Sequence, residues 1–226
     1  MITAALVLAL WMYLRRFPRA HALDLNFPLQ GGIYYVGHGG NNFIINHHFK
    51  NASQRYAVDI LQINWTGFSA RGMFPGSLAA YRIFAQPVYS PCNGVVTAVI
   101  DSIDDFPPPQ RTLEQIAGNH VVIRCSDEDI YVGLAHLQKG SLLVRPGDHV
   151  QVGQPLGKVG NSGHTMEPHL HIQAKKGGWP DVMLDGTGIP ITFSGHWLIR
   201  NSLLFAAKTH PNTKKQSTER LSTNQS

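Results

Sequence analysis

The chain has 226 residues, of which 43% are hydrophobic and 15% charged, which excludes wholesale disorder and collagen-like repetition. No run approaches 18 apolar residues, so a conventional transmembrane helix is not expected. Its formal charge of +5 arises at the two ends: residues 1–24 hold three Arg and one Asp, residues 207–226 hold four basic residues and one Glu, and residues 25–206 hold 12 basic and 12 acidic residues. A neutral body lacks the basic face of a specific nucleic-acid binder, so nucleic acid is excluded as a partner.

The first 24 residues form a segment of their own. Ile2–Leu14 is uncharged and is followed by three arginines within residues 15–19 and by a small-x-small pattern at residues 20–22. A signal peptide carries its positive charges before the apolar stretch, whereas here they follow it. Two interpretations therefore stay open: an export signal or anchor that gives membrane association, and an amphipathic or buried N-terminal helix.

The middle of the chain, residues 25–206, predicts one domain of predominantly antiparallel β-structure. Short β-branched runs alternate with Gly and Pro, as is typical of strands and turns. Helix is expected only near the N-terminus and around Gly76–Arg82, and the polar residues 207–226 predict a disordered tail. The expected strands are Gly94–Ile100, His120–Cys125, Ile130–Ala135, His149–Val152 and His169–Ala174.

The two cysteines fall at the start of one expected strand and at the end of the next. If Val95 lies opposite Val122 in an antiparallel ladder, Cys92 lies opposite Cys125, because both pairs of numbers have the same sum. A disulfide is favoured over two buried thiols, and disulfides persist in oxidising compartments. The pair therefore predicts an extracytoplasmic location.

A His-x-His pair at His169 and His171 carries the strongest chemical signal. Residues two apart on a strand share a face, so both imidazoles enter the same groove while Leu170 packs behind them. Neutral imidazole serves both metal binding and proton transfer. Alone, the pair is weak evidence of a site.

The sequence around this pair resembles the lysostaphin and LytM type of zinc peptidases. The matching motifs are GLAHL at 133–137, the glycine-rich run GDHVQVGQPLGKVGNSG at 147–163, EPHLH at 167–171, and YAVDI at 56–60 as the counterpart of the family's Asp-containing strand. The resemblance implies antiparallel sheets that form a groove, the duplicated hybrid motif of that fold. It also implies one Zn²⁺ and a peptidoglycan peptide as substrate.

The resemblance implies a role for each site residue. Asp59 and His171 match two of the family's three zinc ligands, and His136 and His169 match the histidines that orient or deprotonate the water and stabilise the oxyanion. Three protein ligands with an open position suit hydrolysis, because bound zinc lowers the pKa of water to about 7 and polarises the scissile carbonyl.

The chain departs from the family pattern at the first ligand. The usual histidine stands four residues before the Asp, where this chain has Arg55, and guanidinium cannot bind zinc. The candidates are His47 and His48, and on a strand only one of these neighbours would reach the metal. His48 is chosen because related sequences with a QRYA run before the Asp keep a histidine there.

Three functions from different classes compete. The leading hypothesis is a zinc endopeptidase that cleaves peptide cross-links of bacterial peptidoglycan. The alternative is a degenerate LytM-type domain that binds cell wall or regulates another wall hydrolase, which Arg55 keeps open. A lipoyl or biotinyl carrier shares the glycine-rich pattern but needs a lysine in a tight turn that is not evident.

Glu167 is a further candidate for the general base. It is disfavoured because Pro168 disturbs the strand after it.

Overall fold

The computed structural model describes residues 22–73, 75–126 and 129–208, and within these ranges it contains 13 strands and two 3₁₀ helices. The expected N-terminal helix and almost all of the expected signal or anchor segment and polar tail lie outside the described residues. The 3₁₀ helices are His47–Lys50 and Leu78–Ala80. The strands are β1 (Leu23–Leu25), β2 (Gly32–His38), β3 (Val58–Ile63), β4 (Pro87–Tyr89), β5 (Gly94–Ile100), β6 (Asn119–Ser126), β7 (Ile130–Leu137), β8 (His149–Val150), β9 (Pro155–Lys158), β10 (Leu170–Lys176), β11 (Thr187–Ile189), β12 (Ile191–Phe193) and β13 (Leu203–Ala206).

One large antiparallel sheet organises the fold. Its strand order is β13-β2-β3-β10-β7-β6-β5-β8, and β11 also pairs with β10. Two small sheets accompany it, a parallel pair β1-β12 and an antiparallel pair β4-β9. The mainly β, antiparallel architecture expected from the sequence is therefore confirmed.

All five strands expected from hydrophobic runs are present. β5 has the expected bounds, and β6, β7, β8 and β10 differ from expectation by one or two residues at an end. The Leu78–Ala80 turn corresponds to the helix expected around Gly76–Arg82. His47–Lys50 corrects the expectation that His47 and His48 lie on a strand, since these residues form a 3₁₀ turn instead.

The two faces of the large sheet have different roles. Val58, Ile60, Leu170 and Ile172 point into the main core, which also contains buried residues of both small sheets. Asp59 and the residues that alternate with the core positions of β10 point to the opposite face. Polar side chains thus gather on one face because the other is committed to hydrophobic burial.

The disulfide Cys92–Cys125 is present, with the two Cα atoms 5.8 Å apart. The register predicted for the ladder of β5 and β6, from which this disulfide was inferred, is wrong. Val95 pairs with Arg124 rather than with Val122, and a bulge between Val96 and Ala98 shifts the rest of the ladder. Cys92 instead precedes the strand, and the turn before β5 brings it to Cys125.

Among the residues that the structure describes, no helix is long and apolar enough to cross a membrane.

Candidate metal centre and catalytic groove

Strand pairing brings the polar residues of the site together. Asp59 of β3 lies directly opposite His171 of β10 and, on its other side, opposite His38 of β2. Residues directly opposite in an antiparallel ladder project to the same face of the sheet. Three residues that are far apart in sequence therefore meet on the polar face.

Asp59 is the centre of the cluster. One carboxylate oxygen lies 2.9 Å from Nε2 of His48, and the other lies 2.9 Å from Nδ1 of His171. Nε2 of His169 is 3.7 Å from the second oxygen. The Asp59 side chain is almost completely buried.

The histidines around Asp59 hold its carboxyl group in the charged form. Burial alone would raise the pKa of Asp59, but the charges and hydrogen bonds of His48, His169 and His171 lower it well below its ordinary value. Burial opposes protonation of His171, yet the hydrogen bond and charge of Asp59 outweigh it and raise the pKa of His171. Burial lowers the pKa of His48 to about 4.

The hydrogen bonds of His171 determine which of its atoms faces the cluster. Gln173 donates from Nε2 to the Met183 carbonyl at 2.9 Å, so its Oε1 accepts from Nε2 of His171 at 3.0 Å. The Nδ1 atom of His171 then faces Asp59 with either a proton or a lone pair. A metal ion bound at Nδ1 would take the place of that proton.

His47 and His48 are held by the 3₁₀ turn in front of β3. The side chain of Asn46 caps the turn by accepting from the His48 amide at 3.1 Å, and its amide group donates to the carbonyls of Gly40 and Ala57. His48 is buried and His47 is exposed. Donor atoms of His47, His48 and Asp59 nevertheless all lie within 4.8 Å of one another.

His136 reaches the site through a β-bulge. Between the pairs Asn119–Leu137 and Val121–Leu134, two residues of β7 oppose the single residue His120. His136 has φ of 60°, an uncommon conformation for a residue other than Gly. Bulges redirect side chains next to active sites, and this one turns His136 toward His169 and His171, with ring centroids 4.7 Å and 5.8 Å away.

Backbone carbonyls orient His136 and His169 in the same way. Nδ1 of His136 donates to the Ser162 carbonyl at 2.9 Å, and Nδ1 of His169 donates to the Glu167 carbonyl at 2.8 Å. Each neutral ring therefore presents the lone pair of Nε2. This tautomer is the one that can accept a proton from a water molecule in the groove.

Ser162 and the glycines near it support that arrangement. The Ser162 hydroxyl donates to the Leu137 carbonyl at 2.7 Å and accepts from the Asn119 amide at 2.9 Å. Gly163 has φ of 85° and packs directly against Gly118, where a side chain would collide with backbone. Ser162 is thus a buried residue that anchors His136.

Two cavities meet at the cluster and together form a groove. Both are lined by His47, His48, His136 and His164. The larger, of about 570 Å³, also includes Asp59 and His169 and extends over β2, whereas the smaller, of about 270 Å³, includes His171 and extends toward Met183. A peptide could lie across the cluster in this groove.

The structure brings together all five residues singled out from the sequence: His48, Asp59, His136, His169 and His171. Arg55 is outside the cluster, exposed, with its guanidinium over the Phe49 ring. His149 is exposed on β8, whereas His164, which is also exposed, lines the groove.

Sequence reasoning missed His38 and Gln173. The His38 ring lies edge-on to that of His47, with centroids 4.1 Å apart, and its Nδ1 atom is buried without a hydrogen-bond partner. No short motif marks His38, because only the pairing of β2 with β3 brings it to Asp59. Gln173 could have been found from period-two alternation, since it follows His169 and His171 on the same face.

Comparison with known proteins identifies the domain. Residues 78–181 match the model of Peptidase family M23. Residues 78–181 are thus similar to a peptidase M23 domain. The resemblance to lysostaphin and LytM type peptidases is thereby confirmed.

The curated relatives of this chain are larger proteins. The chain is 30% identical over 128 residues to peptidoglycan DD-endopeptidase ShyC of Vibrio cholerae, which covers 55% of this chain and 27% of that protein. It is 30% identical over 148 residues to peptidoglycan DD-endopeptidase ShyA of the same organism, which covers 64% of this chain and 30% of that protein. The chain therefore spans less than a third of either relative.

A solved structure of the antimicrobial peptidase lysostaphin from Staphylococcus simulans is also similar. It has 18% sequence identity and a TM-score of 0.39, and the match covers 71% of this chain and 48% of lysostaphin.

Proposed function

We propose that the protein is a zinc-dependent endopeptidase that hydrolyses peptide cross-links of bacterial peptidoglycan outside the cytoplasm. The convergence of His48 Nε2 and His171 Nδ1 on the carboxylate of Asp59 carries this proposal. Two imidazoles and one carboxylate are the donor set of a hydrolytic zinc site. The M23 match and the two peptidoglycan endopeptidase relatives support the substrate class.

His48, Asp59 and His171 would hold one Zn²⁺, and the burial of all three favours this set over one that includes the exposed His47. When bound, zinc supplies a Lewis acid that lowers the pKa of water to about 7 and polarises the scissile carbonyl. Gln173 fixes the ring of His171 because its Oε1 accepts a hydrogen bond from Nε2–H of that ring, as outer hydrogen bonds do for most metal-binding histidines.

His136 and His169 would carry out the proton transfers. Burial, followed by the charges of the neighbouring histidines, lowers the pKa of His136 well below its ordinary value, so its ring is neutral near pH 7. The free Nε2 atoms of both rings can take a proton from the attacking water, return it to the leaving amine and donate to the developing oxyanion. The Ser162 and Glu167 carbonyls hold these rings in place throughout.

The Cys92–Cys125 disulfide supports an extracytoplasmic location, because such bonds are rare where thiols are kept reduced. That location is also the one in which peptidoglycan is found.

Digestion of purified peptidoglycan, with mass analysis of the released fragments, tests this function. Zinc-loaded protein should release fragments whose masses fit cleavage within cross-link peptides, and a chelator should abolish the release until zinc is restored. His171→Ala is the matched control. If zinc-loaded protein binds peptidoglycan but releases no fragments, the domain is a cell-wall binding module rather than a peptidase.

A further inference from the structure

We propose that Arg200 selects substrates by binding a free carboxylate of the cross-link peptide beside the bond that is cut. This inference rests on the proposed function and specifies which peptides the groove accepts. Arg200 lines the larger cavity together with Asp59 and His169. A peptide that passes over the metal-binding residues in this cavity therefore passes the Arg200 side chain.

The guanidinium of Arg200 is available for a ligand. The residue is exposed, and no carboxylate within the described ranges lies at ion-pair distance from it. Among the described residues that line this cavity, it is the only Lys or Arg. A planar guanidinium binds a carboxylate through two parallel hydrogen bonds, which gives it geometric selectivity as well as charge.

The backbone that carries Arg200 is firmly attached to the site. The Arg200 amide donates to the Gly39 carbonyl at 3.2 Å, and the Asn201 amide donates to the Val36 carbonyl at 2.9 Å. The Tyr35 hydroxyl donates to Oδ1 of Asn201 at 2.5 Å. A side chain on a backbone fixed in this way loses less freedom on binding a ligand than one on a free loop.

The charges in the groove differ on the two sides of Asp59. Strand β3, which carries Asp59, lies between β2 and β10. Arg200 precedes β13, the strand that pairs with β2, whereas Glu167 precedes β10. Glu167 lines the same cavity, and one of its carboxylate oxygens accepts a 3.4 Å hydrogen bond from Ser69. A free carboxylate is thus attracted on the β2 side and repelled on the β10 side. The groove accepts an acidic peptide in one orientation.

Two forms of one synthetic cross-linked peptide dimer test this assignment. In the first form every carboxyl group is free, and in the second each is a primary amide. The zinc-loaded protein should show a KM about 10-fold lower for the free acid than for the amide, with kcat little changed. Arg200→Gln should abolish the preference, and Arg200→Glu should reverse it.

Arg145→Gln is the control, because Arg145 is exposed on the segment between β7 and β8, outside the residues that line the groove. It should keep the preference for the free acid. Equal KM values for the two dimers with the parent protein, or an unchanged preference in Arg200→Gln, would overturn the assignment of Arg200.

The test separates this assignment from the proposed function. If neither dimer is hydrolysed, the proposed function fails, and calorimetry then measures the binding of both dimers to the same zinc-loaded proteins. Tighter binding of the free acid that is lost in Arg200→Gln still supports the carboxylate site. Equal binding of the two dimers refutes it.

Discussion

His169 and His171 are separated by one residue but have different relations to Asp59. Nδ1 of His171 lies 2.9 Å from the carboxylate, whereas Nε2 of His169 lies 3.7 Å from it. We expect His171→Ala to lose both zinc and activity, because two protein donors hold zinc poorly. His169→Ala should retain zinc and lose about 100-fold to 1,000-fold in kcat.

His136→Ala should behave like His169→Ala. The double variant should lose less than the product of the two single losses if both rings act on one water. Zinc stoichiometry and hydrolysis rates of the purified variants measure these effects. Metal-free protein from His169→Ala, or a full complement of zinc in His171→Ala, would show that the two roles are assigned wrongly.

Single substitutions also decide which of His47 and His48 is the proposed third zinc ligand. His48→Ala should lose bound zinc, because its Nε2 atom meets Asp59 in a buried position. His47→Ala should retain zinc, because the ring of His47 is exposed at the rim of the groove. Zinc bound per chain after dialysis measures both. The reverse pattern would show that His47, rather than His48, is the zinc ligand.

The sequence predicted which residues form the candidate site better than it predicted the strand pairs that bring them together. Motif resemblance identified Asp59, His136, His169 and His171, because short spacings mark them. His38 has no such mark, since it comes to Asp59 through a strand pair whose register shifts between Val36 and His38. A shift of this kind depends on tertiary packing rather than on local residue type.

At the scale of elements, hydrophobic runs predicted the strands and missed the bulges. The Gly94–Ile100 strand is found with its expected bounds, because β-branched residues between turn residues specify it locally. The register predicted between this strand and β6 was wrong. Val96 pairs with Ile123 and Ala98 pairs with Val122, so Thr97 is an extra residue that forms a bulge. The disulfide was predicted nonetheless, because either register leaves the two cysteines near the same end of the ladder.

The disulfide should contribute strongly to stability. It closes a loop with a sequence separation of 33 residues, and a crosslink of this size restricts the unfolded chain. The double variant Cys92→Ala, Cys125→Ala should lose about 2 to 4 kcal/mol in the free energy of unfolding. Urea unfolding of variant and parent measures the loss. Equal unfolding midpoints and slopes would show that the crosslink contributes nothing.

At the scale of the whole molecule, acid should destabilise the protein after zinc is removed. Burial lowers the pKa of His48 to about 4, whereas in the unfolded chain it is about 6.5. The unfolded chain therefore binds the proton first, so stability is complete above pH 6.5 and falls as the pH drops toward 4. His48 contributes on the order of 3 kcal/mol to the free energy of unfolding that is lost as the pH falls.

Urea unfolding of chelator-treated protein at pH 7 and at pH 4.5 tests this dependence. His48→Gln, which cannot titrate, should lose less stability between the two pH values than the parent does. Equal losses in the two proteins would assign the acid sensitivity to other buried histidines.

The Gln173 side chain joins the proposed ligand His171 to the segment that follows β10. It holds the ring of His171 and the carbonyl of Met183 at the same time, and the buried Lys175 of the same strand donates to the carbonyls of Trp179 and Val182. The segment 177–186 is thus attached to the strand that carries a proposed ligand. Coupling between two sites acts equally in both directions.

Zinc should therefore make segment 177–186 more rigid, and loosening that segment should weaken zinc binding. Hydrogen exchange of its backbone amides should slow when zinc is added, because fewer opening events remain accessible. Gln173→Ala should remove most of this slowing and reduce zinc affinity about 10-fold to 100-fold. Exchange that is the same with and without metal would mean that the two parts are independent. If they are coupled, bound metal makes one wall of the groove more rigid, so under the proposed function the zinc-loaded form would also be the form that holds a peptide most tightly.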